Sequence, residues 1–149
     1  MALKLRSQMP ELEGATTWFN GEVSKGDVDG VPTLIHFWSI SCGLCKEAMP
    51  NVNEFRDLYK GKLKVIAVHM PRSEKDLDLD EIKKVADEHG IIQPIFVDSE
   101  HKLTDAFENE YVPAYYVFDE EGQLRHFQAG GGGMKMLTKR VNRVLGIKE

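Results

Sequence analysis

The chain has 149 residues, enough for one domain with a sizeable core, and 42% of them are hydrophobic, which excludes a disordered chain. Nineteen basic against 24 acidic side chains give a net charge of −5, which argues against a nucleic-acid partner, whose footprint is a basic face. The longest apolar stretch is far too short to span a bilayer, and the first ten residues lack the apolar run of a secretory or lipid-anchor signal, so a soluble, cytoplasmic protein with no membrane partner is expected.

The first 30 residues are rich in turns. Asn20-Gly21, between Trp18-Phe19 and Glu22-Val23, is a type I′ hairpin signal and predicts an N-terminal β-hairpin extension over 1–30. The nearly unbroken apolar run 33–38 suits a central strand buried on both faces. Leu44, Ala48, Val52, Phe55 and Tyr59 then recur at helical spacing, with Pro50 inside the helix they predict. Residues 63–68 form a second buried strand, and strand–helix–strand implies parallel pairing with a right-handed crossover. A charged loop from Pro71 to Asp78 precedes a helix over about 80–89, and Ile95-Phe96-Val97 is a short strand. Ser99 is placed to cap a helix running to about Asn109. Pro113 opens the strand 114–118, and Asp119 to Gly122 is a turn before a returning strand over 123–128. The C-terminal helix carries Met134, Leu137, Val141 and Val144 on one face, with Lys135, Lys139, Arg140 and Arg143 as a solvated surface.

The only two cysteines are Cys42 and Cys45. A disulfide closing so short a loop constrains the unfolded chain little, and a structural disulfide is not expected in a reducing cytosol. The pair follows a buried strand and opens a helix, where free N–H groups and the helix dipole stabilise a thiolate on Cys42. Cys45, one turn deeper, is expected to stay protonated longer. Cys42 would attack a substrate disulfide, and Cys45 would resolve the mixed disulfide by attacking Cys42.

Trp38, Cys42, Cys45 and Lys46 resemble the Trp-x-x-x-Cys-x-x-Cys-Lys segment of the thioredoxin superfamily, and Pro50 stands where that family kinks the helix. Val112-Pro113, immediately before a strand, resembles the family's cis-proline loop. The hairpin, the helix near 80–89 and Val-Pro-Ala-Tyr-Tyr-Val-Phe-Asp-x-x-Gly look like the TlpA/ResA-like branch. The resemblance implies an α/β thioredoxin fold, with the N-terminal β-hairpin extension, a central βα insertion and a mixed sheet flanked by helices, in a single domain over 1–149. It implies a monomeric thiol–disulfide oxidoreductase with no cofactor beyond the redox-active disulfide. Its partners would be disulfide-containing proteins and an upstream thiol reductant. Trp38 would pack beneath the pair, and cis Pro113 would leave the Val112 backbone open to an extended substrate segment.

Four features depart from the family pattern. Gly43-Leu44 replaces Gly-Pro between the cysteines, His36 stands where thioredoxin has a buried Asp, Ala48 stands where ResA-like proteins have a Glu, and the membrane anchor common in the branch is not expected here. His36 is therefore either the acceptor of the Cys45 proton or a hydrogen-bonded core histidine.

Other functions fit less well. A peroxidase of the peroxiredoxin type needs Pro-x-x-x-Thr/Ser-x-x-Cys, and Ile35 replaces that proline. A phosphatase-type Cys-x5-Arg fails because Ala48 stands at the arginine position. A closed zinc site needs four ligands and the chain has no second Cys-x-x-Cys, so no metal is expected. A docking adaptor would need neither the two cysteines nor the Val112-Pro113 element. Gly130 to Gly133 lacks the phosphate-loop pattern and reads as a flexible connection.

Overall fold

A computed structural model describes residues 2–147, so Met1, Lys148 and Glu149 of the expected domain lie outside the described residues. The strands are β1 (Thr17–Phe19), β2 (Thr33–Trp38), β3 (Lys64–His69), β4 (Ile95–Val97), β5 (Ala114–Phe118) and β6 (Leu124–Ala129). The helices are α1 (Gly43–Leu58), α2 (Leu79–Glu88), α3 (Lys102–Ala106) and α4 (Met134–Leu145), with short 3-10 turns at Lys25–Val28 and Glu74–Leu77. One sheet runs β1-β4-β3-β2-β5-β6. β2 pairs in parallel with β3, and β3 with β4, while β1, β5 and β6 run antiparallel to their neighbours. This is the mixed sheet of the thioredoxin fold, with α2 and β4 as its inserted helix and strand.

Strand alternation sorts the core into two layers. Leu34 and Trp38 of β2 join the buried faces of α1, α2 and α4, among them Val52, Ile82 and Val141. Ile35 and Phe37 point the other way, onto Leu103 of α3, Phe107 and the N-terminal residues Met9 and Leu12. All six β2 residues are buried. The run 33–38 is almost wholly apolar because each of its faces is covered by a packed layer.

Two expectations are corrected. The N-terminal piece is not a hairpin: β1 pairs with β4, Thr17 opposite Val97, and no strand lies between Gly21 and β2. Asn20 and Gly21 do take the positive φ values, 65° and 112°, that a type I′ turn needs. The Asn20 amide, however, donates to the carbonyls of Ile91 (2.9 Å) and Gln93 (3.1 Å), tying the turn to the loop after α2. Ser24 and Asp27 then form a capping box that starts a 3-10 turn where the second strand was expected. Nor does Ser99 cap α3. Asp98 does so, its carboxylate accepting from the Leu103 N–H at 3.0 Å and the Thr104 N–H at 2.8 Å.

Candidate active site

β2 ends at Trp38, and after three intervening residues Cys42 is the N-cap of α1. The Cys42 sulfur accepts the Cys45 N–H at 3.1 Å, a contact that belongs to one of the four N–H groups a helix leaves free at its start. Cys42 and Cys45 are joined as a disulfide, with their Cα atoms 5.3 Å apart. Cys45 is 1% exposed and Cys42 only 3%, so the first cysteine is more enclosed than its position at a helix tip suggests. Between them Gly43 and Leu44 face solvent. Leu44 was expected on the buried stripe of α1 but is 52% exposed; in this first turn the buried place is taken by Cys45. It lies against the glycine loop: a Cβ built on Gly131 would stand 3.3 Å from a Leu44 methyl.

The Val112–Pro113 peptide is cis. Its loop joins the glycine run through the Gly130 N–H, which donates to the Pro113 carbonyl at 2.8 Å. Trp38 is buried in the same apolar cluster as both cysteines, with its ring T-shaped against that of His69, centroids 5.0 Å apart.

His36 is 1% exposed, and its Nε2 is 2.9 Å from the Gln93 side-chain nitrogen. The network assigns the proton. Arg56 Nη1 donates to Gln93 Oε1 at 2.8 Å, so the Gln93 amide nitrogen donates to His36 Nε2. The lone pair that would take a proton from Cys45 is therefore already engaged. Burial, helped by the Arg56 charge, lowers the His36 pKa to about 3 and keeps the ring neutral. Of its two sequence readings, the geometry matches the hydrogen-bonded core histidine.

A second polar network lies directly before Cys42, and sequence reasoning missed it. Asp76 is 1% exposed, and its Oδ2 accepts from Ser39 Oγ (2.7 Å), Ser41 Oγ (2.8 Å) and the Arg72 N–H (2.9 Å). Burial pushes the Asp76 pKa up, but these donors and nearby His69 outweigh it and hold the carboxyl below its ordinary range. His69 Nε2 accepts the Ile40 N–H at 3.2 Å, and the Met70 N–H donates to the Trp38 carbonyl at 2.8 Å. Burial lowers the His69 pKa to about 4, with Asp76 pulling the other way. Trp38 Nε1 and His69 Nδ1 are buried without a hydrogen-bond partner among the described residues. One available signal was topological. β2 and β3 are parallel and end together, Trp38 opposite His69, so the charged segment after β3 must lie beside the one that leads to Cys42.

No helix among the described residues is long and apolar enough to cross a membrane, and none of their His, Cys, Asp and Glu side chains form a group fit to hold a metal.

Comparison with known proteins places this geometry. Residues 5–127 match the AhpC/TSA family. The chain is 72% identical to the thiol-disulfide oxidoreductase YkuV of Bacillus subtilis, over 99% of this chain and 100% of that one. It is 26% identical to the thiol-disulfide oxidoreductase ResA of Geobacillus kaustophilus, over 70% of this chain and 58% of that one. A solution structure of a thioredoxin-like protein in the oxidized form, at 72% identity, superposes with a TM-score of 0.90 over 99% of this chain and all of that one.

Proposed function

The chain belongs to the AhpC/TSA family, among its thioredoxin-like, ResA-related members, and is a thiol–disulfide oxidoreductase; on that premise we propose that it reduces protein disulfides, as a monomer in the cytoplasm. The observation that carries the reading is the Cys42 sulfur seated as N-cap of α1, accepting the Cys45 N–H. A thiolate there is favoured over the thiol by the same N–H group and by the helix dipole.

In the reduced enzyme Cys42 attacks one sulfur of a substrate disulfide. The Cys42–substrate S–S bond forms as the substrate S–S bond breaks, and the departing sulfur leaves as a thiolate that takes a proton from water. Cys45 then loses its proton and attacks the Cys42 sulfur. The intramolecular disulfide forms and the second substrate thiolate departs, so two electrons have passed to substrate. An upstream thiol reductant restores the dithiol. Val112, preceding the cis peptide, offers its main chain to an extended substrate segment, and Trp38 packs beneath the sulfurs. His36 holds the core under the site. A peroxidase reading gains nothing from the geometry, since Ile35 replaces the needed proline and Ser39 Oγ is bound to Asp76.

Redox titration together with cysteine trapping tests this. Cys42→Ser should abolish insulin reduction, and Cys45→Ser should accumulate a stable mixed disulfide with substrate. The couple should titrate near thioredoxin, about −270 mV. A potential near about −120 mV would make the protein an oxidant, and mixed disulfides trapped by Cys42→Ser instead of Cys45→Ser would reverse the two roles.

A further inference from the structure

We propose that Arg72 is a specificity-determining residue, which offers a free guanidinium edge to a carboxylate beside the target disulfide and so favours acidic substrate segments. The inference rests on the reading that Cys42 attacks substrate disulfides.

The arginine is held on one edge by Ser41. Its Nε donates to Ser41 Oγ at 3.1 Å, and its Nη2 donates to Ser41 Oγ at 3.0 Å and to the Ser41 carbonyl at 2.6 Å. That carbonyl belongs to the peptide bond joining Ser41 to Cys42, which puts the cation one peptide unit from the attacking residue. The backbone of Arg72 is fixed as well. Its N–H donates to buried Asp76, and the preceding Pro71 carbonyl lies 2.7 Å from His101 Nε2 at the start of α3. An ordinary surface arginine is not anchored in this way through both its backbone and its side chain.

The remaining edge is free. Nη1 carries two N–H groups and has no hydrogen-bond partner among the described residues, and the side chain is exposed. The nearby carboxylate of Asp76 accepts Ser39, Ser41 and the Arg72 N–H on Oδ2 and forms no hydrogen bond with the guanidinium. A guanidinium already ordered on one edge loses little side-chain entropy when its other edge takes a carboxylate. The whole chain carries −5 and repels acidic partners weakly at long range, but contact at Arg72 lies well inside a Debye length of about 8 Å, where the local cation decides.

The test uses three disulfide peptides that differ only in the residue beside the target cysteine: Glu, Gln or Lys. For the wild-type protein at low salt, kcat/KM should rank Glu above Gln above Lys, with Glu favoured over Gln by up to about fivefold, the upper end for an exposed ion pair. Arg72→Gln should bring the three peptides together. Arg72→Glu should invert the order, and Arg72→Lys should keep a reduced Glu preference because it keeps the charge without the fixed edge. Reduction of the Gln peptide by each variant shows that its redox centre has formed. The same peptide ranking in wild type and Arg72→Gln would overturn the proposal while leaving the oxidoreductase reading intact. Failure of the wild type to reduce any of the three would overturn both.

Discussion

Two buried histidines stand on adjacent central strands, both held neutral by burial, yet they do different things. His36 on β2 faces away from solvent into a chain of amides: Gln93 donates to it, and Arg56 donates to Gln93 and to the Gly90 carbonyl. This network ties α1 to the loop after α2. His69, at the end of β3, takes the Ile40 N–H, stacks edge-on with Trp38 and lies in the field of Asp76. That second network fixes the three residues that lead into Cys42. Burial and a depressed pKa are common to both, so neither property separates a residue that holds the core from one that holds the site. What separates them is which backbone each one grips.

Removing the centre of each network should tell the two apart. Asp76→Ala leaves two serine hydroxyls and the Arg72 N–H without their charged acceptor, and should cost about 2–4 kcal/mol in urea unfolding, more than one lost hydrogen bond. It should also change the alkylation rate of reduced Cys42, because the 39–41 segment loses its anchor. His36→Leu leaves the Gln93 amide unpaired in the core and should cost about 1–3 kcal/mol. It should leave Cys42 alkylation and the pH profile of the resolving step unchanged. A resolving step that slows and changes its pH profile in His36→Leu would return the proton-acceptor role to His36.

Acid separates the pair from the rest of the molecule. Both imidazoles have folded pKa values, about 3 and about 4, below the ordinary 6.5. The unfolded chain therefore binds more protons than the folded one between those values, and stability falls as pH drops from about 6.5 toward 4. Each histidine contributes a slope of at most about 1.4 kcal/mol per pH unit. Urea midpoints measured from pH 7 to 4.5 should fall in the wild type, and less steeply in His36→Leu. Equal slopes would mean that His36 is not buried as a neutral ring.

The redox pair, the buried strand before it and the proline loop were legible because their signals are local. Cys42 and Cys45 are three apart, 33–38 is a nearly unbroken apolar run, and Val112-Pro113 abuts its strand. The Asp76 network was not legible, since Ser39 and Asp76 are 37 positions apart and a charged stretch such as 71–78 reads as solvated loop. The hairpin failed for a related reason. Asn20-Gly21 does adopt the turn conformation, but what that turn is anchored to, the carbonyls of Ile91 and Gln93, lies more than 70 residues on.

The smallest expected effect bears on the site network alone. Ser41 Oγ donates to Asp76 and accepts from Arg72, so it links the buried carboxylate to the exposed cation. Ser41 is itself exposed, and Ser41→Ala should cost only about 0.5–1.5 kcal/mol, one hydrogen bond's net worth. Asp76 keeps two of its three donors, Ser39 and the Arg72 N–H, so the Ile40–Cys42 segment keeps its place. Arg72 keeps its bond to the Ser41 carbonyl, which no side-chain substitution at that position removes. The Glu-over-Gln preference should therefore weaken in Ser41→Ala without vanishing, whereas it vanishes in Arg72→Gln. If Ser41→Ala erased the preference while Arg72→Gln retained it, the selectivity would belong to the hydroxyl and not to the guanidinium.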